Sequence, residues 1–167
     1  MGKIYIMMGL PAAGKSTFLK KYAEPLDNAE IVSRDKIRFS LLKEGEEYFS
    51  HEEEVKKILW ETINNALDKG KDVYIDQTSL NKASRKLLID HINKDVEINI
   101  IFVITPLLHC LVNNESRAGT KAYVPKGVIK RMNSQMESPE YSEGFKHIYI
   151  YDIFTDKVIL VSNWDKD

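Results

Sequence analysis

One segment of the chain has the residue types and the spacing of a phosphate-binding loop. Residues 9–16 read Gly-Leu-Pro-Ala-Ala-Gly-Lys-Ser, between an apolar run of buried-strand type and a helix-like segment that starts at Thr17. Glycines let backbone amides converge on one anion, and a helix N-terminus adds partial positive charge. Lys15 can then reach the β- and γ-phosphates of a nucleoside triphosphate such as ATP, and the Ser16 hydroxyl can bind a phosphate-bound Mg²⁺. The predicted nucleotide contacts are Gly9, Ala12, Ala13, Gly14, Lys15, Ser16 and Thr17.

A carboxylate and a guanidinium follow the next predicted strand, at residues 30–33. Asp35 and Arg38 are three residues apart on a predicted helix of residues 34–42, so their side chains share one face of it. The carboxylate can accept a proton from a hydroxyl nucleophile while the guanidinium holds a phosphate on the acceptor. An exposed helical ion pair is the alternative interpretation.

Two more polar clusters lie where a ligand site of this kind would be completed. Asp76, Gln77 and Thr78 end a predicted strand, and an acid there is typical of a Walker B element, which holds the water shell of the metal. Asp76 could instead orient Arg38, or only terminate the strand. Residues 117–125 form a short basic connection between predicted helices, which suits a mobile lid or, alternatively, a solvated loop. An arginine on such a lid can neutralise charge on the transferring phosphoryl group.

Together, residues 9–17, 33–38, 76–78 and 117–125 resemble the motifs of bacteriophage-type polynucleotide 5′-hydroxyl kinases, and the resemblance extends from residue 3 to about residue 150. The phosphate-binding loop is common to many kinases, whereas the second and fourth segments are much more specific. The resemblance implies an ATP- and Mg²⁺-dependent enzyme of nucleic acid repair that phosphorylates the 5′-hydroxyl ends of DNA or RNA.

The resemblance also implies roles for individual residues. Asp35 is the general base for the 5′-hydroxyl, Arg38 clamps the adjacent phosphate of the acceptor, and Arg117 contacts the phosphates of the donor. The expected catalytic residues are Lys15, Asp35, Arg38 and Arg117. The expected acceptor-site residues are Asp35, Arg38, Asp76 and Thr78, and the expected metal ligand is Ser16, with Asp76 acting through water.

Two departures from the family pattern limit the resemblance. Relatives often carry a further arginine about four positions before the lid arginine, where this chain has Asn113. The aspartate-rich D-x-D motif of a 3′-phosphatase domain is also missing, because residues 152–156 have the wrong spacing. The sequence therefore predicts a stand-alone kinase. Two alternatives stay open: a P-loop kinase of a small molecule (a sugar, an antibiotic or a nucleotide-sugar), and a regulatory module that hydrolyses nucleotide slowly.

Length and composition fit one domain spanning residues 1–167. The chain has a net charge of −1, so no overall field attracts nucleic acid, and binding of a polynucleotide would depend on a local basic site. A single cysteine, Cys110, excludes an internal disulfide and suggests a reducing compartment. No signal peptide or run of 18 apolar residues is present, so we expect a cytoplasmic protein with no membrane contact.

Alternating strand-like and helix-like segments predict the scaffold that positions these residues. The strand-like runs are at 3–8, 30–33, 72–76, 96–105, 147–151 and 158–161. Helices are predicted at 34–42, 82–91, 107–117 and from Pro125, the last with Ile129, Met132 and Met136 facing the core. The clearest helix spans Val55 to Leu67 with helical apolar spacing, begins with a capping box at Ser50–Glu53 and ends before Gly70. This order predicts an α/β P-loop kinase fold, which is a mostly parallel sheet with helices on both faces, a helical lid at about 113–136 and the ligand at the carboxyl ends of the strands.

The remaining residues with reactive side chains have structural interpretations. The sulfur of Cys110 lies among leucines and is expected to be buried. The histidines have no metal-ligand spacing; they are His51, His91, His109 and His147. Trp60 and Trp164 are expected to pack rather than to stack on a base.

Overall fold

The computed structural model describes residues 2–92 and 95–163, and its elements alternate as the sequence predicts. The strands are β1 (Ile4–Met8), β2 (Ala29–Ser33), β3 (Asp72–Asp76), β4 (Ile98–Ile104), β5 (His147–Asp152) and β6 (Lys157–Leu160). The helices are α1 (Lys15–Tyr22), α2 (Arg34–Leu41), α3 (Glu52–Asp68), α4 (Lys82–Asp90), α5 (Leu107–Glu115) and α6 (Lys126–Ser134), followed by a 3₁₀ turn at Tyr141–Glu143. Trp164 lies outside the described residues.

The strands form one sheet in the order β2-β3-β1-β4-β5-β6. The first five strands are parallel, and β6 pairs antiparallel with β5 at the edge. The predicted mostly parallel α/β sheet is therefore confirmed. Because parallel strands end at the same edge of the sheet, the loops after β1, β2 and β3 are neighbours. The candidate residues of those three loops consequently meet.

Helices cover both faces of the sheet, as predicted. Successive side chains of each strand point to opposite faces, so apolar side chains on both faces pack against helices. Ile4, Ile6 and Met8 of β1 pack in one core with Leu59 and Ile63 of α3. The neighbouring Met7 packs in the second core with Phe18 and Leu19 of α1, where Cys110 is also buried. The central strand is thus buried from both sides, which fixes the position of the loop that follows it.

Helix α3 does not begin with the predicted capping box. The Ser50 amide donates to the carbonyl of Glu47 in a turn (3.0 Å), and His51 is the N-cap residue, with no side-chain cap. Glu52, the first residue of the helix, pairs with arginines of α2 instead. Its negative charge at the helix N-terminus is itself favourable, so the helix begins there without a serine cap. The predicted capping box is wrong, although the predicted helix is confirmed.

The segment predicted as a lid consists of α5, a connection and α6. Asn114, which is fully buried at the end of α5, ties the connection down at its far end. Its Nδ2 donates to the Val124 carbonyl (2.6 Å), and the Val124 amide donates to its Oδ1 (3.1 Å). Pro106 and Pro125 are the N-cap residues of the two helices, so the predicted helix starts are confirmed. Within the described residues, no helix is long and apolar enough to cross a membrane.

Candidate active site

The phosphate-binding loop, residues 9–16, joins β1 to α1 and needs glycine at two positions. Gly14 is the N-cap residue of α1 with φ of +106°, a conformation that side chains disfavour. At Gly9 a Cβ atom would lie 3.2 Å from the carbonyl oxygen of Val103. The Gly9 amide donates to the Thr78 carbonyl (3.0 Å), which links the loop to the segment after β3.

Two side chains, one directly after β4 and one on α5, donate hydrogen bonds to the loop backbone. Thr105 Oγ1 donates to the carbonyl of Ala13 (2.6 Å), and Asn113 Nδ2 donates to the carbonyl of Ala12 (3.3 Å). Ala12 has φ of +63°, so these bonds help to hold a strained conformation. Asn113 stands where relatives often carry an arginine, and here it supports the loop without adding positive charge.

Lys15 is buried in the loop with its ammonium group facing backbone oxygens. Nζ donates to the carbonyls of Gly9 (2.9 Å) and Leu10 (2.7 Å). Burial lowers the pKa of Lys15 to about 8; the negative charge of Asp76 opposes this shift and the positive charge of Arg117 adds to it. A buried cation with only carbonyl partners favours the arrival of an anion. Lys15 is therefore suited to contact a polyphosphate.

Ser16 and Asp76 meet at the carboxyl end of the sheet. Ser16 Oγ donates to Asp76 Oδ2 at 3.3 Å. Burial raises the pKa of Asp76, while Lys15 and the Ser16 hydroxyl act in the opposite direction. Hard oxygen ligands beside a phosphate site fit Mg²⁺, which keeps several waters and is bound through one or two protein oxygens plus phosphates. The described residues contain no cluster of three or more His, Cys, Asp or Glu side chains that could hold a metal by themselves.

Arg38 is the buried centre of a charged cluster beside this site, with 4% of its surface exposed. Its Nε and Nη2 form a bidentate pair with the Glu52 carboxylate, at 3.2 and 2.9 Å. Arg34 Nη2 donates to the same carboxylate at 2.5 Å. Burial works against charge on both Arg38 and Glu52, but their hydrogen bonds and the opposite charges around them together outweigh it: the pKa of Arg38 is raised and that of Glu52 is lowered. The Arg38 guanidinium is therefore charged and fixed in orientation.

The third nitrogen of Arg38, Nη1, points toward Asp35 and Tyr48. Nη1 forms an ion pair with Asp35 Oδ1 and donates to the Tyr48 hydroxyl oxygen (2.6 Å). The Tyr48 hydroxyl in turn donates to Asp35 Oδ1 (2.6 Å). More than half of the Asp35 side chain is exposed, in contrast to Arg38. The predicted common face of Asp35 and Arg38 is confirmed, and it presents an accessible carboxylate next to a buried cation.

Sheet register brings the charged cluster and the phosphate-binding loop together. Ser33, the last residue of β2, pairs with Asp76, the last residue of β3. Ser33 is also the N-cap of α2, and its Oγ accepts from the Lys36 amide (3.3 Å). Burial lowers the pKa of Lys15 and raises that of Asp76, and the nearby charge of Asp35 raises both. Asp35 therefore faces the same space as the loop lysine.

Two other predicted site residues, Arg117 and Thr78, lie near the phosphate-binding loop. Arg117 is half-buried in the turn after α5, where its amide donates to the Asn114 carbonyl (2.9 Å). Thr78 contributes its carbonyl to the loop, as described above. Its neighbour Gln77 has a buried Oε1 without a hydrogen-bond partner. The segments after β1, β2 and β3 thus lie side by side at the carboxyl end of the sheet.

The residues expected to be structural behave as such. Cys110 is buried, its Sγ lies 3.8 Å from the Thr105 carbonyl, and burial raises the pKa of its thiol. Trp60 stacks on His91 with ring centroids 3.5 Å apart, so it packs within the protein.

Sequence reasoning missed Glu52 and Tyr48. Glu52 lies 14 residues after Arg38, on another helix, and its position suggested only a favourable acid at a helix start. Tyr48 lies in the connection before α3, where no periodicity or motif distinguishes it. Contacts of this kind depend on the path of a loop, which the local sequence pattern does not determine.

Comparisons with known proteins agree with this geometry. Residues 4–139 match the family model described as AAA domain. The chain is 30% identical over 144 residues to the L-seryl-tRNA(Sec) kinase of Methanococcus maripaludis, a match that covers 81% of this chain and 53% of that protein. It is also 30% identical over 164 residues to a protein of Acanthamoeba polyphaga mimivirus named as a bifunctional polynucleotide phosphatase/kinase, covering 95% of this chain and 35% of that protein.

Among solved structures, a chain of the Pnkp1/Rnl/Hen1 RNA repair complex has the same fold. The TM-score is 0.69 at 23% identity, and the match covers 80% of this chain and 43% of that chain. The present chain therefore spans about half or less of the length of these relatives. Because the family model covers more than half of the chain, the chain belongs to the AAA domain family, and it is a P-loop kinase with polynucleotide kinases among its relatives.

Proposed function

We propose that this P-loop kinase transfers the γ-phosphoryl group of ATP to the 5′-hydroxyl of DNA or RNA ends. The observation that supports this acceptor most strongly is the pair formed by Asp35 and Arg38, an accessible carboxylate beside a buried, oriented guanidinium. A carboxylate alone suits any hydroxyl. A fixed guanidinium next to it suits a hydroxyl that has an anionic group close by, as a nucleotide 5′-hydroxyl has in its 3′-phosphate.

On the donor side, the loop amides and Lys15 bind the β- and γ-phosphates. Binding requires Lys15 to exchange the carbonyls of Gly9 and Leu10 for phosphate oxygens, and the anion then stabilises its charge. Ser16 and, through water, Asp76 would hold Mg²⁺, which would neutralise charge on the donor phosphates. Gly14 and Thr17, at the start of α1, add the helix N-terminus to this anion site.

On the acceptor side, Asp35 aligns the 5′-hydroxyl and takes its proton as the oxygen attacks the γ-phosphorus. Arg38 holds the adjacent phosphate through Nη1, while Glu52 keeps Nε and Nη2 in place. Arg117, on the lid, offsets charge on the transferring group, and Thr78 lines the acceptor cleft beside Asp76. The protein contributes position and charge, which is most of what phosphoryl transfer needs.

Transfer of labelled γ-phosphate to a panel of acceptors tests the proposal. The panel contains a 5′-hydroxyl DNA oligonucleotide, the matching RNA, a nucleoside 3′-monophosphate and the bare nucleoside. We expect the first three to be substrates and the bare nucleoside to be poor. Equal kcat/KM values for the nucleoside and its 3′-monophosphate would remove the reason for assigning Arg38 to an acceptor phosphate.

A kinase of a small molecule is the second candidate, and two observations favour keeping it. The net charge of −1 gives no general attraction to nucleic acid, and the relative from Methanococcus maripaludis is named for a different hydroxyl acceptor. Sugars, antibiotics and nucleotide-sugars in the same panel test this alternative. A regulatory module that only hydrolyses nucleotide has no use for the Asp35–Arg38 pair, and it predicts phosphate release without transfer to any acceptor. The free, buried Cys110 fits the reducing cytoplasm that we propose as the compartment.

A further inference from the structure

The Tyr48 hydroxyl makes both of the contacts that the proposed acceptor needs. It donates to Oδ1 of Asp35, the proposed base, and it accepts from Nη1 of Arg38, the proposed phosphate clamp, each at 2.6 Å. An acceptor nucleotide has to bring its hydroxyl to the first group and its phosphate to the second. Without an acceptor, one phenolic oxygen satisfies the two groups at once.

The surroundings of Tyr48 keep its hydroxyl in this position. The Arg38 guanidinium lies over its ring, with Cζ 4.2 Å from the ring centroid, and Phe49 packs against it edge-on at 4.7 Å. Burial and the bond to Asp35 raise the pKa of Tyr48, so the hydroxyl stays protonated and remains a donor. The ring is nevertheless 40% exposed, and it belongs to the connection between α2 and α3. Tyr48 is therefore held by a few specific contacts and belongs to no helix or strand.

We propose that Tyr48 is a specificity-determining residue. Until an acceptor binds, its hydroxyl occupies the acceptor's contacts with Asp35 and Arg38, and it prevents water from reacting with ATP in place of the acceptor. This inference rests on the proposed roles of Asp35 and Arg38. The reaction that Tyr48 suppresses is hydrolysis: a water oxygen bonds to the γ-phosphorus, the bond from that phosphorus to the β–γ bridging oxygen breaks, and Asp35 takes the proton, which leaves ADP and phosphate.

The negative charge of the acceptor phosphate explains why an acceptor displaces Tyr48 and water does not. A nucleotide replaces both contacts, and its phosphate binds Arg38 more strongly than a neutral hydroxyl does. A water molecule can replace the bond to Asp35, but it brings no charge to Arg38 and does not fill the volume of the ring. Displacement of Tyr48 is thus favourable only with an acceptor that presents a hydroxyl and an anionic group together.

Tyr48→Phe tests the inference, because it removes the hydroxyl and keeps the ring. We expect the rate of phosphate release from ATP, measured with Mg²⁺ and without an acceptor, to rise about tenfold. A hydrogen bond to a charged group is commonly worth at least that factor. The KM for a 5′-hydroxyl oligonucleotide should fall by a similar factor, with kcat and the KM for ATP within about twofold of wild type. If Tyr48 only supported the fold, its replacement would not raise the rate of hydrolysis and lower the KM of the acceptor at the same time.

Two controls make the result specific. Tyr22→Phe also removes a hydroxyl that donates to an aspartate at 2.6 Å, here Asp156, away from the cleft, and it should leave both quantities unchanged. In the double variant Tyr48→Phe with Asp35→Asn, the additional hydrolysis should disappear because the base is gone. Unchanged hydrolysis in folded Tyr48→Phe, or additional hydrolysis that persists without Asp35, would overturn the inference. If hydrolysis rises as expected in Tyr48→Phe and falls again in the double variant, but wild type phosphorylates no polynucleotide, the inference stands and the proposed acceptor is wrong.

Discussion

Replacement of Arg38 separates the polynucleotide interpretation from the small-molecule one. In Arg38→Ala, Glu52 keeps only Arg34 as a partner, and Asp35 and Tyr48 lose the Nη1 contact. We expect the free energy of unfolding to fall by about 1–3 kcal/mol, the usual penalty for buried polar groups that lose a partner. Such a loss lowers the folded fraction only slightly in a domain of ordinary stability.

The informative quantity is a ratio of two acceptors measured on one preparation. We take kcat/KM for a nucleoside 3′-monophosphate divided by kcat/KM for the bare nucleoside, so the folded fraction cancels. A charge-assisted contact to phosphate contributes about 1.5–3 kcal/mol, so Arg38→Ala should reduce this ratio by about 10- to 150-fold. Arg38→Lys should restore part of it, because an ammonium cannot bind Glu52 in bidentate fashion and also face the phosphate.

The assay is transfer of labelled γ-phosphate at saturating ATP, with each acceptor varied below its KM. A matched control is Arg131→Ala on α6, which removes an arginine outside the Glu52 cluster and should leave the ratio unchanged. If Arg38→Ala lowers kcat/KM for both acceptors equally, Arg38 supports the fold or Asp35 and does not clamp a phosphate.

Four further outcomes follow from the site. Lys15→Ala or Ser16→Ala should abolish transfer to every acceptor while circular dichroism shows an intact fold; near-normal turnover in either variant would place the donor elsewhere. Asp35→Asn should lower kcat by about 10²–10⁴ with little change in ATP binding, and a loss of ATP affinity at normal kcat would move Asp35 to the donor side. Because burial lowers the pKa of Lys15 to about 8, kcat/KM for ATP should decline as the pH rises through that value. For the same reason, the free energy of unfolding of the ligand-free protein should rise with pH between about pH 8 and the unfolded pKa of Lys15 near 10.5, because the unfolded state binds more protons there. A thermal unfolding series with the opposite slope would contradict this.

Local patterns predicted most of the scaffold and the position of the phosphate-binding loop between a strand and a helix. The loop of residues 9–16 is a continuous motif whose shape depends on its own glycines, and the apolar periodicity from Val55 to Leu67 reports a helix face directly. The acceptor half is different. The bond between Arg38 and Glu52 joins two helices, and it exists because the connection between α2 and α3 returns the chain to the sheet edge.

The two clearest failures have the same physical origin. Ser50 has the sequence of a helix cap, but tertiary pairing of Glu52 with the arginines of α2 competes with local capping and sets the helix start. Tyr48 has no sequence signal at all, and its importance comes from two hydrogen bonds to groups far from it along the chain. Residue types thus predict which groups can react, whereas loop paths determine which groups meet.

The most direct measurement is the location of the transferred phosphate. An oligonucleotide with a 5′-hydroxyl is incubated with γ-labelled ATP and Mg²⁺, then digested to mononucleotides, beside the same oligonucleotide already phosphorylated at its 5′ end. We expect label only on the 5′-terminal nucleotide, none on the blocked oligonucleotide, and about 10²–10⁴-fold less label with Asp35→Asn protein over the same time. Label on no oligonucleotide, together with efficient transfer to a small hydroxyl compound, would contradict it.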